Sequence, residues 1–484
     1  MVFNSVLFLA FAAVFFPVYF LLRGRAQVVW SLIASYVFYG AWDYRFLSLI
    51  VVSTCIDYAL GLSLEREQDP TRRKRFLQLS LIANLGFLAF FKYFNFFIES
   101  AEIGLRSLGY AGDTHTLAIV LPVGISFYTF QSMSYSIDVY RRQIEVERDF
   151  LRFATFISFF PQLVAGPIVR ASDFLPQFRE DKRWDWTRFE VGLGQVLWGF
   201  FKKMVIADGI APFVNNCFEA PDKFGALHLL IGIIFYSFQI YCDFSGYSDI
   251  AIGLARIMGF DFPNNFRKPY FSQNFSEFWQ RWHISLSGWL RDYLYIPLGG
   301  SRGSKLFTFR NLMITMLLGG LWHGAAWVFV LWGFLHGAYQ VLNRVLSPYW
   351  QRFWTATKAP GWVQVPFNLL IVYSLTCFAW VYFRAGAPSI PLTEQLPRAH
   401  AFLGGIFSSE GWSFNAVIGK PIVAKGFLLI FAMLTVELYD ELRAPLWKLV
   451  RDRPTFRVAS FATLLWLIAF FGVFSASAFI YFQF

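Results

Sequence analysis

Charge is scarce in this chain. Asp, Glu, Lys and Arg supply only 15% of the 484 residues, where a soluble globular domain carries roughly a quarter. The 60 Phe and 18 Trp are more than one water-soluble core can hide, and a chain this long would ordinarily divide into domains with polar surface between them. A soluble enzyme, a nucleic-acid-binding domain and a disordered tail are thereby excluded. Cysteine is scarce as well: Cys55, Cys217, Cys242 and Cys377 have neither metal-ligand nor disulfide spacing, which excludes a disulfide scaffold and leaves the compartment open. GxGxxG, Walker and HExxH patterns are missing, so dinucleotide, NTP and zinc chemistry have no support and no metal site is expected.

What the chain has instead is long apolar runs. They cover residues 2–22, 26–42, 46–64, 76–98, 115–137, 224–242, 311–343, 359–383, 426–436 and 458–484. Runs of this kind, rather than alternating residues, argue for helices and against a β-barrel. The expected fold class is an all-α polytopic membrane protein with roughly 10 to 12 membrane segments, some of them not fully crossing. The first run lacks a basic leading region and a small-residue cleavage site, so it reads as the first transmembrane helix rather than a signal peptide.

The net charge of +11 falls mainly in short loops, where topogenic charge at the membrane surface explains it without a nucleic-acid partner. Basic clusters follow the first run (Arg23, Arg25), the third (Arg72, Arg73, Lys74, Arg75) and the fifth (Arg141, Arg142), and precede the last (Arg451, Arg453, Arg457). The connections 99–114 and 385–424 carry far fewer. Because Lys and Arg mark the cytoplasmic side, both termini are expected outside the cytoplasm, in the periplasm or its equivalent.

The stretch from Asp138 to Arg310 is more polar and is broken by Pro161, Pro167, Pro212, Pro263, Pro269 and Pro297. Irregular backbone at membrane depth survives only inside protein or beside a wet cavity. A central region of short and interfacial helices around a site, spanning about 138–343 within one membrane-embedded domain over 1–484, is therefore expected.

Six histidines occur, at His115, His228, His283, His323, His336 and His400. His323 is the most informative. Between Arg310 and Arg344 no charged residue intervenes, a run long for one span and short for two, which suggests bent half-depth helices turning near Gly319-Gly320 or Gly324. About 13 residues at ~1.5 Å place His323 near ~20 Å from Arg310, well inside the bilayer. An imidazole there needs a partner or water, and intramembrane ionisable groups are functional candidates by default. The competing role is an interhelical packing histidine. Gly320 and Gly324 flank the Trp322-His323 pair, and small residues would let a substrate reach the ring. His336, in the same run without that setting, is assigned a structural role. A second constellation, Glu277 to Tyr295, places Trp282, Leu286 and Trp289 on one helical face and Arg281, Ser285 and Arg291 on another, as an amphipathic interfacial helix would.

Several motifs resemble a known family. They are Phe160-Pro161-Gln162-Leu163-Val164-Ala165-Gly166-Pro167, Tyr241-Cys242-Asp243-Phe244-Ser245-Gly246-Tyr247-Ser248-Asp249, Trp282-His283-Ile284-Ser285-Leu286-Ser287, Leu318-Gly319-Gly320-Leu321-Trp322-His323-Gly324 and Ile480-Tyr481-Phe482-Gln483-Phe484. In this order they resemble the membrane-bound O-acyltransferases, most of all the bacterial branch that contains the alginate O-acetyltransferase membrane subunit. The resemblance implies a ring of transmembrane helices around a thin central core and acyl transfer to a hydroxyl. It matches His323 to the family's catalytic histidine and His283 to its second catalytic position. Trp322 and Asp243, within the matching motifs, and Arg281, which immediately precedes the Trp282 motif, are candidate substrate-binding residues.

On this basis acetyl-CoA is the expected acyl-donor substrate, with no bound cofactor. A polysaccharide is the expected acceptor, reached through a periplasmic acetyltransferase partner protein, and membrane lipid surrounds the chain. Alginate, cellulose, other exopolysaccharides and peptidoglycan are all compatible acceptors. His323 would take the hydroxyl proton, while His283 would orient the acceptor or hydrogen-bond the developing oxyanion. Arg267, Lys268, Arg281 and Arg302 could hold the CoA phosphates. Two other readings stand beside this one: a transporter of acyl donor or glycan, which two related halves with paired broken helices would favour, and a lipid acyltransferase. No internal repeat is visible.

Overall fold

The computed structural model describes residues 1–109, 116–164, 166–408, 411–412, 420–442, 452–474 and 479–480. His115, Ala165, Arg451 and residues 481–484, named above, lie outside them. Among the described residues every regular element is helical, and six stretches are long and apolar enough to cross a membrane: Gly24–Arg66, Pro70–Ser107, Ala226–Ile257, Gly361–Ala385, Pro421–Leu442 and Pro454–Phe471. The apolar helix Val6–Leu21 is shorter. The remaining expected segments are helices that are shorter or more polar. The all-α polytopic membrane fold is thus observed.

The chain forms two compact units, residues 1–189 with 254–263, and residues 190–253 with 264–484. In the first, α1 (Val6–Leu21), α2 (Gly24–Asp43), α3 (Leu47–Arg66) and α4 (Pro70–Leu88) are followed by a π-helical turn and α5 (Phe94–Ser107), then by α6 (Ile125–Tyr140). Asp69 caps α4 through the Thr71 N–H, with Pro70 at the first helical position, where its missing N–H costs nothing. The basic cluster Arg72–Arg75 therefore lies in the first turns of a helix and not in a loop. Arg73 departs further from a surface topogenic charge: it is buried, and its guanidinium donates to the carbonyls of Leu64 and Tyr140. Asp57, buried between α3, α4 and α6, accepts from Ser80 Oγ at 2.5 Å, Asn84 Nδ2 at 2.8 Å and Ser136 Oγ at 3.2 Å. Those donors replace the water that a carboxylate would otherwise need.

The first unit continues through short helices, α7 (Phe150–Ser158), α8 (Phe160–Leu163) and α9 (Ala171–Phe174). The second carries α10 (Trp186–Phe200), a π-helical segment at residues 201–207, α11 (Asp208–Glu219) and the 32-residue α12 (Ala226–Ile257). Next come α13 (Phe275–Arg281), α14 (Ile284–Leu290), α15 (Lys305–His323), α16 (Trp327–Thr357), α17 (Gly361–Ala385), α18 (Leu392–Ile406), α19 (Pro421–Leu442) and α20 (Pro454–Phe471).

Two features of the second unit position the site. The uncharged run 311–343 turns at Gly324, one of the two expected places, between helices of 19 and 31 residues. Their backbones approach so closely that a Cβ on Gly320 would strike the Phe329 carbonyl and one on Gly333 the Met316 carbonyl. Backbone cannot rotate away, so Gly333→Ala is expected to lower stability by about 1–3 kcal/mol. A thermal midpoint in detergent equal to that of the parent protein would contradict the close approach.

The second feature is a correction. Residues 277–295 do not form one amphipathic helix: α13 ends at Arg281, and His283 stands in the left-handed region, at φ 43° and ψ 56°, as the N-cap of α14. A non-glycine residue held there is strained. Trp282 and His283 are fully buried, so the break points both into protein rather than leaving them at headgroups.

Candidate active site

His323 is the last residue of α15 and is 4% exposed. Around it stand Trp322 at 5.1 Å, Trp332 at 4.9 Å, Phe383 at 5.3 Å and His283 at 6.5 Å between ring centroids. The flanking glycines serve packing here: the space that a Gly324 side chain would take is filled by the Phe329 ring, and that beside Gly320 by backbone. The expectation that they open an approach for substrate is corrected accordingly.

His283 is fixed from one side by Asn265. The Asn265 Oδ1 accepts from Ser285 N–H at 3.3 Å and Ser285 Oγ at 2.9 Å, and lies 3.1 Å from His283 Nδ1. Its Nδ2 donates to Ser248 Oγ at 3.2 Å. The backbone N–H of Ser285 requires an acceptor, which assigns the amide orientation. His283 Nδ1 then carries the ring proton and Nε2 the lone pair. Burial pushes the imidazole down to about 3, so it is neutral at physiological pH. Phe244 packs edge-on against it at 4.7 Å and Trp322 at 5.9 Å.

The structure therefore brings together His283, Trp322 and His323. Arg281 and Asp243 have other company. The Arg281 guanidinium is buried between Glu277 at 2.8 Å and Glu441 at 2.7 Å. Lys268, another candidate for CoA phosphates, also faces Glu441, at 3.6 Å. Asp243 accepts from Lys203 Nζ at 2.6 Å and from the Ile480 N–H at 2.9 Å. Lys203 also holds Asp208 at 2.8 Å, and the neighbouring Lys202 holds Asp249 at 2.5 Å. The motif around Asp243 thus supplies carboxylates to a buried ion cluster. Nothing in the sequence marks Asn265, Trp332 or Phe383 as neighbours of the two histidines, or Lys203 and Glu441 as the partners of Asp243 and Arg281, because these contacts do not follow from any local spacing.

Comparisons with known proteins agree with the motifs. The membrane-bound O-acyltransferase family matches residues 32–383. The chain is 41% identical to a probable alginate O-acetylase AlgI of Azotobacter vinelandii over 86% of its own length and 80% of that protein. It is 37% identical to a peptidoglycan O-acetyltransferase of Helicobacter pylori over 80% of its own length and 77% of that protein. Identity to a teichoic acid D-alanyltransferase of Bacillus subtilis is 27%, over 55% and 69% of the two chains. With a helical membrane fold and two buried histidines side by side at the matching motifs, this chain belongs to the membrane-bound O-acyltransferase family.

Proposed function

We propose that this membrane O-acyltransferase takes acetyl from cytoplasmic acetyl-CoA and delivers it toward hydroxyls of a polysaccharide outside the cytoplasm, an exopolysaccharide such as alginate. The observation that carries the reading is the pairing of His283 and His323 in one buried aromatic setting, 6.5 Å apart. The relatives named for alginate and peptidoglycan both O-acetylate a hydroxyl-bearing polymer. Peptidoglycan is the second reading, supported by the 37% identical relative. A periplasmic acetyltransferase would complete delivery, and an inner-membrane location with both termini periplasmic follows from the basic loops.

In the reaction, His323 takes the proton of the attacking hydroxyl, the oxygen adds to the thioester carbonyl, and collapse expels the thiolate, which recovers the proton. His283 fits one of its two expected roles better. With Nδ1–H committed to Asn265, Nε2 has a lone pair to accept from a hydroxyl and no proton to give an oxyanion. It therefore orients the acceptor. Exclusion of water by the surrounding rings strengthens each of these interactions. Of the four basic residues considered for the CoA phosphates, Lys268 and Arg281 already face carboxylates, which leaves Arg267 and Arg302 as the better candidates.

Purified protein in lipid vesicles, given acetyl-CoA and an acceptor polymer, should release free CoA thiol in proportion to acetylated product. Passage of intact donor across the vesicle without thiol release would establish the transporter instead. For orientation, a cysteine at the exposed Lys74 should resist an impermeant thiol reagent added to intact cells, while tags fused at Met1 and Phe484 should be reached from outside. Labelling of either tag only after the inner membrane is opened would reverse the topology.

A further inference from the structure

His283 and Lys268 both stand in the left-handed region, at φ 43° and φ 48°. Residues with a Cβ avoid that region, and one persists there only where its surroundings leave no alternative. The segments that carry the two residues run side by side. Arg267 N–H donates to the Arg281 carbonyl and Ile284 N–H to the Asn265 carbonyl, each at 2.9 Å. These two bonds fix the pairing but leave its outer end, at Lys268 and Arg281, to side chains. There Glu441 of α19 meets both: its Oε1 lies 2.7 Å from Arg281 Nη2 and its Oε2 3.6 Å from Lys268 Nζ. One carboxylate thus clips the two segments together, one oxygen to each. Arg281 is buried, where an ion pair is screened far less than at a surface. Its other partner, Glu277, lies one turn earlier on α13, the helix that Arg281 ends, and so ties the guanidinium only to its own helix. Glu437, one turn before Glu441 on the same face of α19, accepts from the Tyr241 hydroxyl at 2.6 Å. The Tyr241 ring lies 6.0 Å from Phe266 and 6.2 Å from Trp282 between centroids. Phe266 in turn packs on Trp282 at 5.1 Å and on His283 at 6.3 Å, so α19 braces both the backbone and the rings beside His283.

We propose that Glu441 is a positioning residue of acyl transfer: by holding Arg281 and Lys268 from α19, it keeps residues 281–284 in the strained conformation that aims His283 Nε2 at the acceptor hydroxyl. This role rests on the reading of His283 as the group that orients the acceptor. Without the clip the left-handed residue is free to relax, and its ring leaves its place beside Trp322 and His323. A displacement of about 1 Å at a reacting group costs on the order of 10²-fold in rate.

A double-mutant cycle in the full-length protein tests this, joining Glu441→Gln and His283→Ala. Thiol release from acetyl-CoA is read at equal folded concentration, with the polymer, alginate or peptidoglycan, that the parent protein acetylates. Glu441→Gln removes the charge at nearly constant shape and leaves Arg281 its Glu277 partner, so the variant should accumulate. Its kcat should fall roughly ten- to a hundredfold with KM for acetyl-CoA unchanged. Glu441→Asp, which keeps the charge at shorter reach, should recover part of the rate. His283→Ala removes an orienting group and not the base, so measurable turnover should remain. In that background Glu441→Gln should cost less than about twofold, because a residue acting through His283 has nothing left to position. Parent-level kcat in Glu441→Gln, or a loss of equal size with and without His283, would overturn the proposal. If Glu441→Gln fails to accumulate, Arg281→Lys decides, since a single ammonium lacks the planar fork that the guanidinium presents to its partners. The same His283-dependent loss is expected there, and an unchanged kcat or a loss independent of His283 would overturn the clip. Slow His283→Ala beside fully active Glu441→Gln would sink this inference alone. His283→Ala at the parent rate would sink the reading beneath it.

Discussion

His323→Ala is expected to remain in the membrane at near-normal abundance while acetylation of the exported polymer falls by roughly 10²- to 10⁴-fold, the usual cost of losing a general base. The expectation follows from position. His323 ends α15 and is enclosed by Trp322, Trp332, Phe383 and His283. A packing histidine would behave otherwise, losing about 0.6 kcal/mol for an interhelical hydrogen bond and leaving activity intact in the protein that survives. His400→Ala is the comparison, since that histidine is exposed and packs edge-on against Tyr382 at 6.1 Å. Equal activity in the two variants would remove His323 from the chemistry.

Lys203→Met is expected to be the most destabilising single change, at about 3–5 kcal/mol, because it leaves buried carboxylates without their countercharge. Lys203 is 1% exposed and lies within 2.8 Å of both Asp208 and Asp243. Two anions drawn that close by one ammonium repel each other once it is gone. The measurement is membrane abundance and thermal midpoint in detergent, with Lys203→Arg included to test whether any cation suffices. A Lys203→Met midpoint within a degree or two of the parent would show that the cluster does not hold this part of the fold. The same logic separates two roles for Asp243: Asp243→Asn should lower the midpoint with KM unchanged, whereas a substrate-binding residue would raise KM at an unchanged midpoint.

The helices of this protein were legible because lipid imposes a one-dimensional demand on sequence, runs of apolar residues bounded by charge. The runs 26–42, 46–64 and 359–383 coincide with α2, α3 and α17 to within a few residues. Where the demand comes from packing rather than lipid, legibility fails. The stretch 277–295 has helical periodicity throughout, yet the chain breaks at His283. Burying Trp282 and His283 while placing His283 Nδ1 beside Asn265 outweighs a strained backbone at one residue, and neither contact is local. Glycine at 320 and 324 was readable as a sign of close approach, but whether substrate or protein approaches depends on where Phe329 sits. His336 shows the same limit from the other side: its motif is bland, and only the rings gathered around it from α13 and α16 show that, among the described residues, neither ring nitrogen has a hydrogen-bond partner.

The most direct measurement of the central claim is the rate at which purified His323→Ala consumes acetyl-CoA in the presence of acceptor polymer and the proposed periplasmic acetyltransferase, set against the parent protein at the same folded concentration. Acyl transfer with His323 as base predicts thiol release at least roughly 10²-fold slower in the variant, with little change in acetyl-CoA affinity. Thiol release at the parent rate would contradict it.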